Sequence, residues 1–461
     1  KLEIKDADHR IFVEPVPDVY AEDLTNGNYE RMGHHESHCY GSYFTSGMDG
    51  KVMCISFDGG GDKSVMKIYL CEDGKMTLFR SMDFSTFGSI SHLWGFSTMG
   101  MMGWDDYGVP IWKICKDEGK LMGMAADGYY DQNIINMLKT VITYKDLKFT
   151  PSNTGGRTKF LIDSLRVMGY FNSKEQREIF SYNLQHYTNE MFIHFINDLH
   201  KLHPEYKKFV FSGGLFANVK LNQQINELDF VDEMYVYPPM GDEGCPLGCA
   251  LLVHKMFTPD FKPFRLENMF MGTEYTDAEV GENYWDQNNF SREIFTPELA
   301  AKYLSEGKII GVFNGRYEHG PRALGNRSLL ADPRGRDIKD KVNEIKRRQK
   351  FRPFAPVILE ELADMYFDMP SGFNSSRYMQ VIARCRHPDL FPAIVHHDGT
   401  SRIQTVPADG SGIRKLLEKW HQITGCPMLL NTSLNIRGEP MVNDRADADR
   451  FEREYGVQVV S

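Results

Sequence analysis

The 461-residue sequence has no apolar run near the roughly 20 residues that a transmembrane helix requires. It also has no CxxC pair, and its eight cysteines are scattered, which argues against a zinc knuckle. Scattered cysteines are typical of free thiols in a reducing cytoplasm. No GxxxxGK[ST] motif is present, so a P-loop NTPase is disfavoured. We therefore expect a cytoplasmic protein with no membrane partner.

An excess of positive charge is also absent. The chain carries 53 Lys and Arg against 63 Asp and Glu, a formal net charge of −10. This balance argues against broad nucleic-acid binding, although a local basic site remains compatible with it. The length predicts two to four domains.

The first part of the chain alternates strand-like and helix-like segments. "KVMCISFDGGGDKS" (51–64) predicts a buried strand that runs into a glycine turn, and "FVFSGGLFAN" (209–218) predicts a strand, glycines and then a helix. A helical apolar stripe runs from Ser173 to about His200, with Ser173 and Gln176 as a capping box. This alternation predicts an α/β fold.

The amino-acid composition changes at residues 272–292, which are acidic, polar and weakly periodic, and we predict a linker there. A helix start follows at Thr296-Pro297-Glu298, which combines a cap, a proline at the first helical position and an acidic first turn. We expect this helix to end near Gly307, with "KIIGVFNG" as the next strand. The predicted domains are therefore 1–271 and 293–461.

The segment "GHHESHCYGSYF" (33–44) places His34 and His38 four residues apart, on one face of a helix. Alone, such a pair is more often structural than metal-binding. Two acids change this, because Asp58 and Asp242 each follow a predicted strand next to glycines. Two imidazoles and two carboxylates suit Fe²⁺, Mn²⁺ or Zn²⁺. The alternative for Asp58, a turn residue that caps the glycines, stays open.

Glycines follow both predicted strands, as Gly59 to Gly61 and as Gly213 and Gly214. Glycine lets the backbone approach a phosphate and offers its N–H groups. Most single glycine-rich turns are only turns. Two of them, each near a candidate ligand, resemble the two-part phosphate clamp of actin-like ATPases.

Residues 314–356 are rich in arginine. Within 334–352 there are nine Lys or Arg against three Asp or Glu, and the arginines alternate with glycine, proline and phenylalanine. Arginines in an apolar setting are costly unless they meet an anion, and their forks bind phosphate or carboxylate. The alternative is an internal ion-pair network with the local acids.

The motifs "HHESH", "DGGG", "SGGLFAN", "GDEG", "EHGPRALGNRSLLADPR", "FRPFAP", "HHDGTSRIQTV" and "NTSLNIRGEP" occur in this order between about residues 33 and 440. Together they resemble the ATP-dependent O-carbamoyltransferases of antibiotic and nodulation-factor biosynthesis. The resemblance implies an actin-like (ASKHA) ATPase-type domain followed by a YrdC-like α/β domain. The strand with an HD-x-x-x-A pattern that opens the family is not found, so we expect the first domain to be N-terminally incomplete.

The resemblance implies a two-stage reaction. Carbamoyl phosphate and ATP give carbamoyl adenylate in the second domain, and the carbamoyl group then passes to an acceptor hydroxyl in the first domain, releasing AMP. The implied metal is Fe²⁺, with Mn²⁺ and Zn²⁺ as alternatives, and whether Mg²⁺ accompanies ATP stays open. Whether the chain forms a homodimer stays open.

Site residues are carried over by motif. The metal ligands would be His34, His38, Asp58 and Asp242. The residues that face the nucleotide would be Gly59, Gly60, Gly61, Ser212, Gly213, Gly214 and Asn218. Carbamoyl phosphate and the adenylate would bind Arg322, Lys346, Arg352, Arg402, Asn431 and Ser433. One position departs from the family, where Gln349 replaces a frequent acid before "FRPF".

Three other functions compete with this interpretation. A tRNA or DNA base could be the carbamoyl acceptor, but the net charge argues against it. A regulatory nucleotide-binding protein without transfer activity would not need the arginines of the second domain. A sugar kinase on the actin-like fold would leave the whole second domain unexplained.

Overall fold

The computed structural model describes residues 11–13, 30–101, 118–274, 295–348, 352, 354–370, 375–409 and 412–460. The chain forms two compact units, residues 1–266 and 267–461. This division lies five residues before the predicted boundary after residue 271, and most of the predicted linker falls outside the described residues. No helix of the described ranges is long and apolar enough to cross a membrane.

The first unit contains nine described strands. They are β1 (Ile11–Val13), β2 (Glu30–Met32), β3 (Lys51–Gly61), β4 (Ser64–Glu72), β5 (Lys75–Asp83), β6 (Thr143–Lys145), β7 (Lys148–Thr150), β8 (Lys208–Ser212) and β9 (Glu233–Val236). Five form the main sheet in the order β5-β4-β3-β8-β9. β3, β4 and β5 are antiparallel neighbours, whereas β8 is parallel to β3 and β9 is parallel to β8. The carboxyl ends of β3 and β8 therefore meet at one edge of the sheet, with Ser56 opposite Ser212.

The helices of this unit are α1 (His34–Thr45), α2 (Ile90–Met101), α3 (Glu118–Met124), α4 (Gln132–Val141), α5 (Thr154–Val167), α6 (Lys174–Leu202), α7 (Val219–Asn226) and α8 (Cys245–Phe257). Short 3-10 turns span Tyr170–Asn172, Gly214–Ala217 and Asp242–Gly244. The predicted cap of the long helix α6 is confirmed, because the Ser173 hydroxyl accepts the Gln176 N–H at 3.1 Å.

Both faces of the main sheet are covered. Val52 and Cys54 of β3 share a buried apolar cluster with Tyr43 and Phe44 of α1. Phe57, on the opposite face of the same strand, packs edge-on against Phe192 of α6, with ring centroids 5.9 Å apart. The near-continuous apolar run of β3 follows from this burial on both sides.

The second unit has its own strands, β10 (Ile310–Phe313), β11 (Arg327–Ala331), β12 (Ala355–Leu359), β13 (Phe367–Asp368), β14 (Ile382–Cys385), β15 (Thr400–Arg402), β16 (Gln404–Val406), β17 (Met428–Ser433) and β18 (Val459–Val460). Six form a mixed sheet in the order β16-β12-β17-β11-β10-β18. β13, β14 and β15 form a separate antiparallel sheet.

The helices of the second unit are α9 (Pro297–Ser305), α10 (Ile338–Ile345), α11 (Ala363–Tyr366), α12 (Arg414–Thr424) and α13 (Arg445–Tyr455), and a 3-10 turn spans Glu360–Leu362. The predicted start of α9 is confirmed, because Thr296 accepts the Leu299 N–H at 3.1 Å and Pro297 is the first helical residue. The core includes the fully buried Trp420, whose indole N–H donates to the Met428 carbonyl. Strands and helices in both units confirm the α/β class.

Candidate metal centre and anion-binding cluster

Helix α1 presents His34 and His38 on one face, and each imidazole approaches an acid from elsewhere in the chain. His34 Nε2 lies 3.6 Å from Asp242 Oδ1, and His38 Nε2 lies 3.6 Å from the same oxygen. His38 Nε2 is also 3.4 Å from Asp58 Oδ2. The structure therefore brings the four residues expected to hold a metal to one place.

The separations fit ligands of one ion better than hydrogen bonds. Distances of 3.4 to 3.6 Å are long for hydrogen bonds, which favour 2.7–3.2 Å. Two ligands at about 2.1 Å from a tetrahedral ion are about 3.4 Å apart. Moreover, Nε2 of His34 and both ring nitrogens of His38 are buried and have no hydrogen-bond partner among the described residues. Buried polar atoms without a hydrogen-bond partner in the protein are rare unless they bind an ion or a water molecule.

Cys245 joins this centre and was not expected from the sequence. Its sulfur and ligand atoms of His34, His38 and Asp242 all lie within 4.8 Å of one another. Its only sequence signal is its position three residues after Asp242. The donor set suits Fe²⁺ or Zn²⁺, because thiolate and imidazole are softer ligands than Mg²⁺ prefers. The Asp242 side chain is 78% exposed, so the centre is open to solvent on that side.

The third histidine of the motif has a structural role. His35 Nε2 is 3.0 Å from the Ser64 carbonyl, which can only accept, so this nitrogen carries the proton. His35 Nδ1 then accepts from the Ser56 hydroxyl at 2.8 Å. Burial, together with the neighbouring His34, lowers the pKa of His35 to about 4, which agrees with a neutral ring. His35 thus fastens α1 to strands β3 and β4.

The start of α1 is capped by a residue distant in sequence. Gly33 has no side chain for this purpose, and the Asp62 carboxylate instead accepts the N–H groups of His34 at 2.5 Å and His35 at 3.0 Å. Asp62 and Lys63 form the turn between β3 and β4, with φ of +50° and +58°. The histidine-bearing end of the helix is therefore tied to the β3–β4 hairpin.

The prediction that β3 ends in a turn at its glycines is wrong, because the turn comes later in the chain. Gly59, Gly60 and Gly61 continue the strand, and the chain reverses at Asp62 and Lys63 instead. A shift of register between Phe57 and Gly61 interrupts the ladder and accommodates the glycines. At Gly59 a Cβ would meet no described atom within 4 Å, whereas at Gly61 it would come within 2.3 Å of the His34 ring. Gly59 thus borders open space, and Gly61 makes room for a metal-site histidine.

The second glycine segment meets the first through Asp58. The Gly214 N–H donates to Asp58 Oδ2 at 2.9 Å, and the Gly59 N–H donates to Oδ1 at 2.5 Å. The turn-capping alternative for Asp58 is therefore confirmed, and because Asp58 also faces His38, its role as a metal ligand stays a prediction. Burial opposes its ionisation, but the neighbouring His38 holds the pKa of Asp58 well below its usual range. Gly213, at φ +94°, packs so closely that a Cβ would lie 2.2 Å from the Phe57 carbonyl oxygen.

Two other residues expected at the nucleotide site make protein contacts. Ser212 is fully buried, and its hydroxyl lies 3.4 Å from that of Ser42. Asn218 caps α7 by accepting the Leu221 N–H and also donates to Gln185 Oε1, both at 3.1 Å. Their contribution to nucleotide binding stays a prediction.

In the second unit, four arginines lie close enough for their positive charges to affect one another's pKa values. Arg402 is half-buried, and desolvation of its guanidinium together with the positive charges of Arg322, Arg348 and Arg352 lowers its pKa well below the usual value. Burial and Arg352 lower the pKa of Arg348 to about 9. Arg348 was not expected from the sequence, although it lies in the same basic stretch as Lys346. Like charges that converge in a buried place are unfavourable until an anion binds among them.

The sequence left two interpretations of the arginine-rich stretch open, an anion site and an internal ion-pair network, and its two parts differ in this respect. Its first part forms local ion pairs, as in Arg334 with Asp332 at 2.7 Å and Lys341 with Asp337 at 2.6 Å. Its second part contributes Arg348 and Arg352 to the four-arginine cluster. Gln349 lies outside the described residues.

Lys346 lies beside this cluster but already has acceptors. Its ammonium donates to the carbonyls of Ser433 at 2.5 Å and Asn435 at 2.8 Å, and to Asn435 Oδ1 at 3.0 Å. Burial and the charges of Arg348 and Arg352 lower the pKa of Lys346. Lys346 thus joins the end of α10 to β17, and its contact with carbamoyl phosphate stays a prediction. Ser433 donates from its hydroxyl to Asn435 Oδ1 at 2.6 Å.

Glu318 is a further residue of this unit that was not expected from the sequence. It is buried, and its Oε1 accepts the N–H groups of Leu324, Asn326 and Arg327 at 2.8 to 3.1 Å. This carboxylate fixes the loop 318–327, which carries Arg322. An acid within an otherwise basic glycine-rich motif is the only signal that would have indicated it.

Comparison with known proteins finds a family match in each half of the chain. Residues 13–251 match the family described as carbamoyltransferase N-terminus, and residues 301–461 match carbamoyltransferase C-terminus. Nodulation protein NolO of Bradyrhizobium diazoefficiens is 29% identical over 437 residues, which cover 90% of this chain and 75% of the relative. An uncharacterized protein of Methanocaldococcus jannaschii is 29% identical over 429 residues, covering 90% of this chain and 70% of the relative.

A relative with a named reaction is the 3'-hydroxymethylcephem-O-carbamoyltransferase of Amycolatopsis lactamdurans. It is 33% identical over 273 residues, which cover 59% of this chain and 50% of the relative. The two family matches together span most of the sequence and include both the histidine centre and the arginine cluster. This chain belongs to the carbamoyltransferase family of enzymes.

Proposed function

We propose that this protein transfers the carbamoyl group of carbamoyl phosphate, through a carbamoyl adenylate made from ATP, to a hydroxyl group of an acceptor. The observation that carries the proposal is the half-buried cluster of Arg322, Arg348, Arg352 and Arg402 in a chain of this family. Carbamoyl phosphate is a small dianion with little apolar surface, so its affinity must come from charge-assisted hydrogen bonds. Relatives that include a cephem O-carbamoyltransferase support a hydroxyl acceptor.

The second unit is proposed as the YrdC-like domain that forms the adenylate. For the atoms to balance, one water releases inorganic phosphate from carbamoyl phosphate, and the resulting carbamate oxygen displaces pyrophosphate from the α-phosphate of ATP. The arginine forks hold the phosphate and fix the carbamoyl carbon relative to ATP. Transfer of the carbamoyl group to the acceptor oxygen then releases AMP.

The first unit is proposed as an actin-like domain that holds a metal and a nucleotide. Its two glycine segments meet at Asp58, at the carboxyl ends of parallel strands β3 and β8, which supports this assignment. His34, His38, Asp58 and Asp242 would hold the ion, Fe²⁺ by the family resemblance. A bound divalent ion supplies Lewis-acid polarisation of oxygen atoms. The open space beside Gly59 gives phosphate groups access to backbone N–H donors.

The decisive experiment omits the acceptor. The protein is incubated with ATP and carbamoyl phosphate, and pyrophosphate, inorganic phosphate and AMP are measured. We expect pyrophosphate release that depends on carbamoyl phosphate, with an equal amount of inorganic phosphate. Pyrophosphate release no higher than in a reaction without carbamoyl phosphate would refute the adenylate route.

A further inference from the structure

The short connection that leads into helix α8 supplies two metal-type donors from a single turn. Asp242 begins a 3-10 turn that ends at Gly244, and Cys245 is the first residue of α8. The Cys245 N–H donates to the Asp242 carbonyl, which closes the turn. Side chains three residues apart lie on the same side of a helical turn. A carboxylate and a thiol are therefore presented together.

Close packing of α8 on α1 brings this turn to the histidine pair. At Gly248, one turn after Cys245, an added Cβ would collide with the carbonyl oxygen of Ser37. Ser37 directly precedes His38, so the two helices touch beside the face of α1 that carries the histidines. The Cys245 sulfur consequently lies within 4.8 Å of a ligand nitrogen of each of them.

The sulfur is buried next to nitrogens that lack partners. Cys245 is 3% exposed, and His38 is fully buried. Nε2 of His34 and both ring nitrogens of His38 have no hydrogen-bond partner among the described residues. A thiol is only a weak hydrogen-bonding group, so it does not compensate for the burial of these nitrogens. A cation bound by the sulfur and by Nε2 of each ring satisfies three buried donor atoms at once.

The ligand set implied by the family resemblance contains no sulfur. It consists of two histidines and two aspartates, and one of these, Asp58, already accepts the N–H groups of Gly59 and Gly214. Among the described residues, the group whose ligand atoms all lie within 4.8 Å of one another contains Cys245 and not Asp58.

We infer that Cys245 binds the ion directly as a thiolate, in addition to the ligands already proposed, and that it makes the centre selective for Fe²⁺ or Zn²⁺ over Mg²⁺ and Mn²⁺. This inference rests on the metal centre of the proposed function.

The selectivity follows from the chemistry of sulfur. Thiolate and imidazole suit Fe²⁺ and Zn²⁺, whereas Mg²⁺ and Mn²⁺ prefer oxygen ligands. The thiol releases its proton to solvent when it binds the ion, so the centre gains one negative charge as well as a soft donor. In the proposed function this discrimination has a use, because phosphate groups of nucleotides bring hard cations to the same unit. The thiolate keeps those cations from replacing the resident ion.

The first test reads the ligands directly, with the full chain prepared without oxygen and loaded with equimolar Co²⁺. A cobalt–thiolate bond gives an intense charge-transfer absorption in the near ultraviolet, which nitrogen and oxygen ligands do not give. We expect this band in the wild-type protein and in Cys249→Ser, and its loss in Cys245→Ser. Cys249 is the matched control, because it is a buried cysteine one turn further along α8 and lies outside the ligand group.

The second test measures selectivity. Dissociation constants of Zn²⁺ and Mn²⁺ are determined by competition with a chelator for the wild-type protein and for Cys245→Ser. Zn²⁺ affinity should fall by more than the 10- to 100-fold that is typical when an outer partner of a ligand is lost. Mn²⁺ affinity should change much less, because serine retains an oxygen. A purely structural role of Cys245 would weaken both ions equally and leave their ratio unchanged.

Cobalt-loaded wild-type protein without the band overturns the inference, and so does a Cys245→Ser variant that keeps it. Equal weakening of Zn²⁺ and Mn²⁺ in this variant overturns the selectivity. If the variant fails to fold, X-ray absorption of the zinc-loaded wild-type protein decides. A sulfur neighbour at about 2.3 Å supports the inference, and a shell of nitrogen and oxygen alone at about 2.0–2.2 Å overturns it.

A wild-type protein that binds no divalent ion is a different result. It overturns the metal centre of the proposed function together with this inference, whereas binding of an ion without sulfur overturns the inference alone. Pyrophosphate release from ATP and carbamoyl phosphate, which is assigned to the second unit, is measured in the same preparations and distinguishes both results from failure of the adenylate route.

Discussion

His38 Nε2 lies 3.4 Å from Asp58 Oδ2, although the imidazole is fully buried and the carboxylate keeps 19% of its side-chain surface exposed. The two residues come from helix α1 and the end of strand β3. Asp58 is held in place from both sides by backbone N–H groups, and His38 has no hydrogen-bond partner for its ring nitrogens among the described residues. The metal prediction rests on this geometry, in which a carboxylate fixed by two hydrogen bonds faces an imidazole whose ring nitrogens have no hydrogen-bond partner among the described residues.

Removal of a metal ligand should empty the centre and leave the second unit active. We expect His38→Ala and Asp58→Ala to lose metal affinity by more than the 10- to 100-fold that is typical when an outer partner of a ligand is lost. Metal content per chain is measured by elemental analysis after purification without oxygen, because air can remove Fe²⁺. Carbamoyl transfer should be lost, whereas pyrophosphate release from ATP and carbamoyl phosphate should persist.

His35→Gln is the control for this experiment, because His35 lies on the same helix but bonds Ser56 and Ser64. It should keep the metal and lower the melting temperature. A wild-type protein without transition metal under anaerobic preparation, or a His38→Ala variant that retains one ion per chain, contradicts the prediction.

The arginine cluster should not tolerate lysine. Lysine keeps the charge but loses the planar fork that holds a phosphate. Loss of one such contact in a partly dry site costs about 2–5 kcal/mol, or about 30- to several thousand-fold in catalytic efficiency. We expect Arg322→Lys and Arg352→Lys each to show this loss in pyrophosphate release, with or without an acceptor.

Arg386→Lys is the matched control, because Arg386 is half exposed and pairs with Asp368 at 2.8 Å. It should release pyrophosphate at the wild-type rate. Near wild-type adenylate formation by either cluster variant would mean that these arginines are structural.

Glu318 should be required for stability as well as for activity. Its Oε1 serves three buried N–H groups of the loop 318–327, and an alanine would leave all three without an acceptor. At about 1–3 kcal/mol for each unsatisfied group, Glu318→Ala should lower the free energy of unfolding by on the order of 3 kcal/mol or more. Glu318→Gln retains a carbonyl oxygen and should lose much less. Denaturant unfolding of both variants tests this, and a change below about 0.5 kcal/mol in Glu318→Ala, the usual range for a neutral surface site, contradicts it.

The second unit should fold alone, and its start should matter. Residues upstream of 293 bond to this unit, because the Gly272 N–H donates to the Tyr317 carbonyl at 2.9 Å and the His319 N–H donates to the Met269 carbonyl at 2.7 Å. We expect a fragment of residues 267–461 to unfold cooperatively and a fragment of residues 293–461 to be less stable. Circular dichroism during heating compares the two. Equal melting temperatures, or insolubility of both while the whole chain is well behaved, would refute this.

The sequence by itself determined the features that depend on neighbouring residues. The caps at Ser173 and Thr296 were predicted because a side-chain oxygen bonds a backbone N–H three residues ahead. The spacing of His34 and His38 was enough to place both on one helix face. The order of the motifs also indicated the carbamoyltransferase family, because each motif is local and specific.

Only the tertiary structure decided which distant groups meet. The chain reverses at Asp62 rather than at the glycines because Asp62 also caps α1, a contact across 28 residues that no local pattern records. Cys245 approaches His34 and His38, and the charges of Arg322, Arg348 and Arg352 act on Arg402. These groups are distant in sequence, and strand register and loop packing bring them together. Burial then decides whether a charged or polar group has a partner, and burial is a property of the folded chain rather than of the residues beside it in sequence.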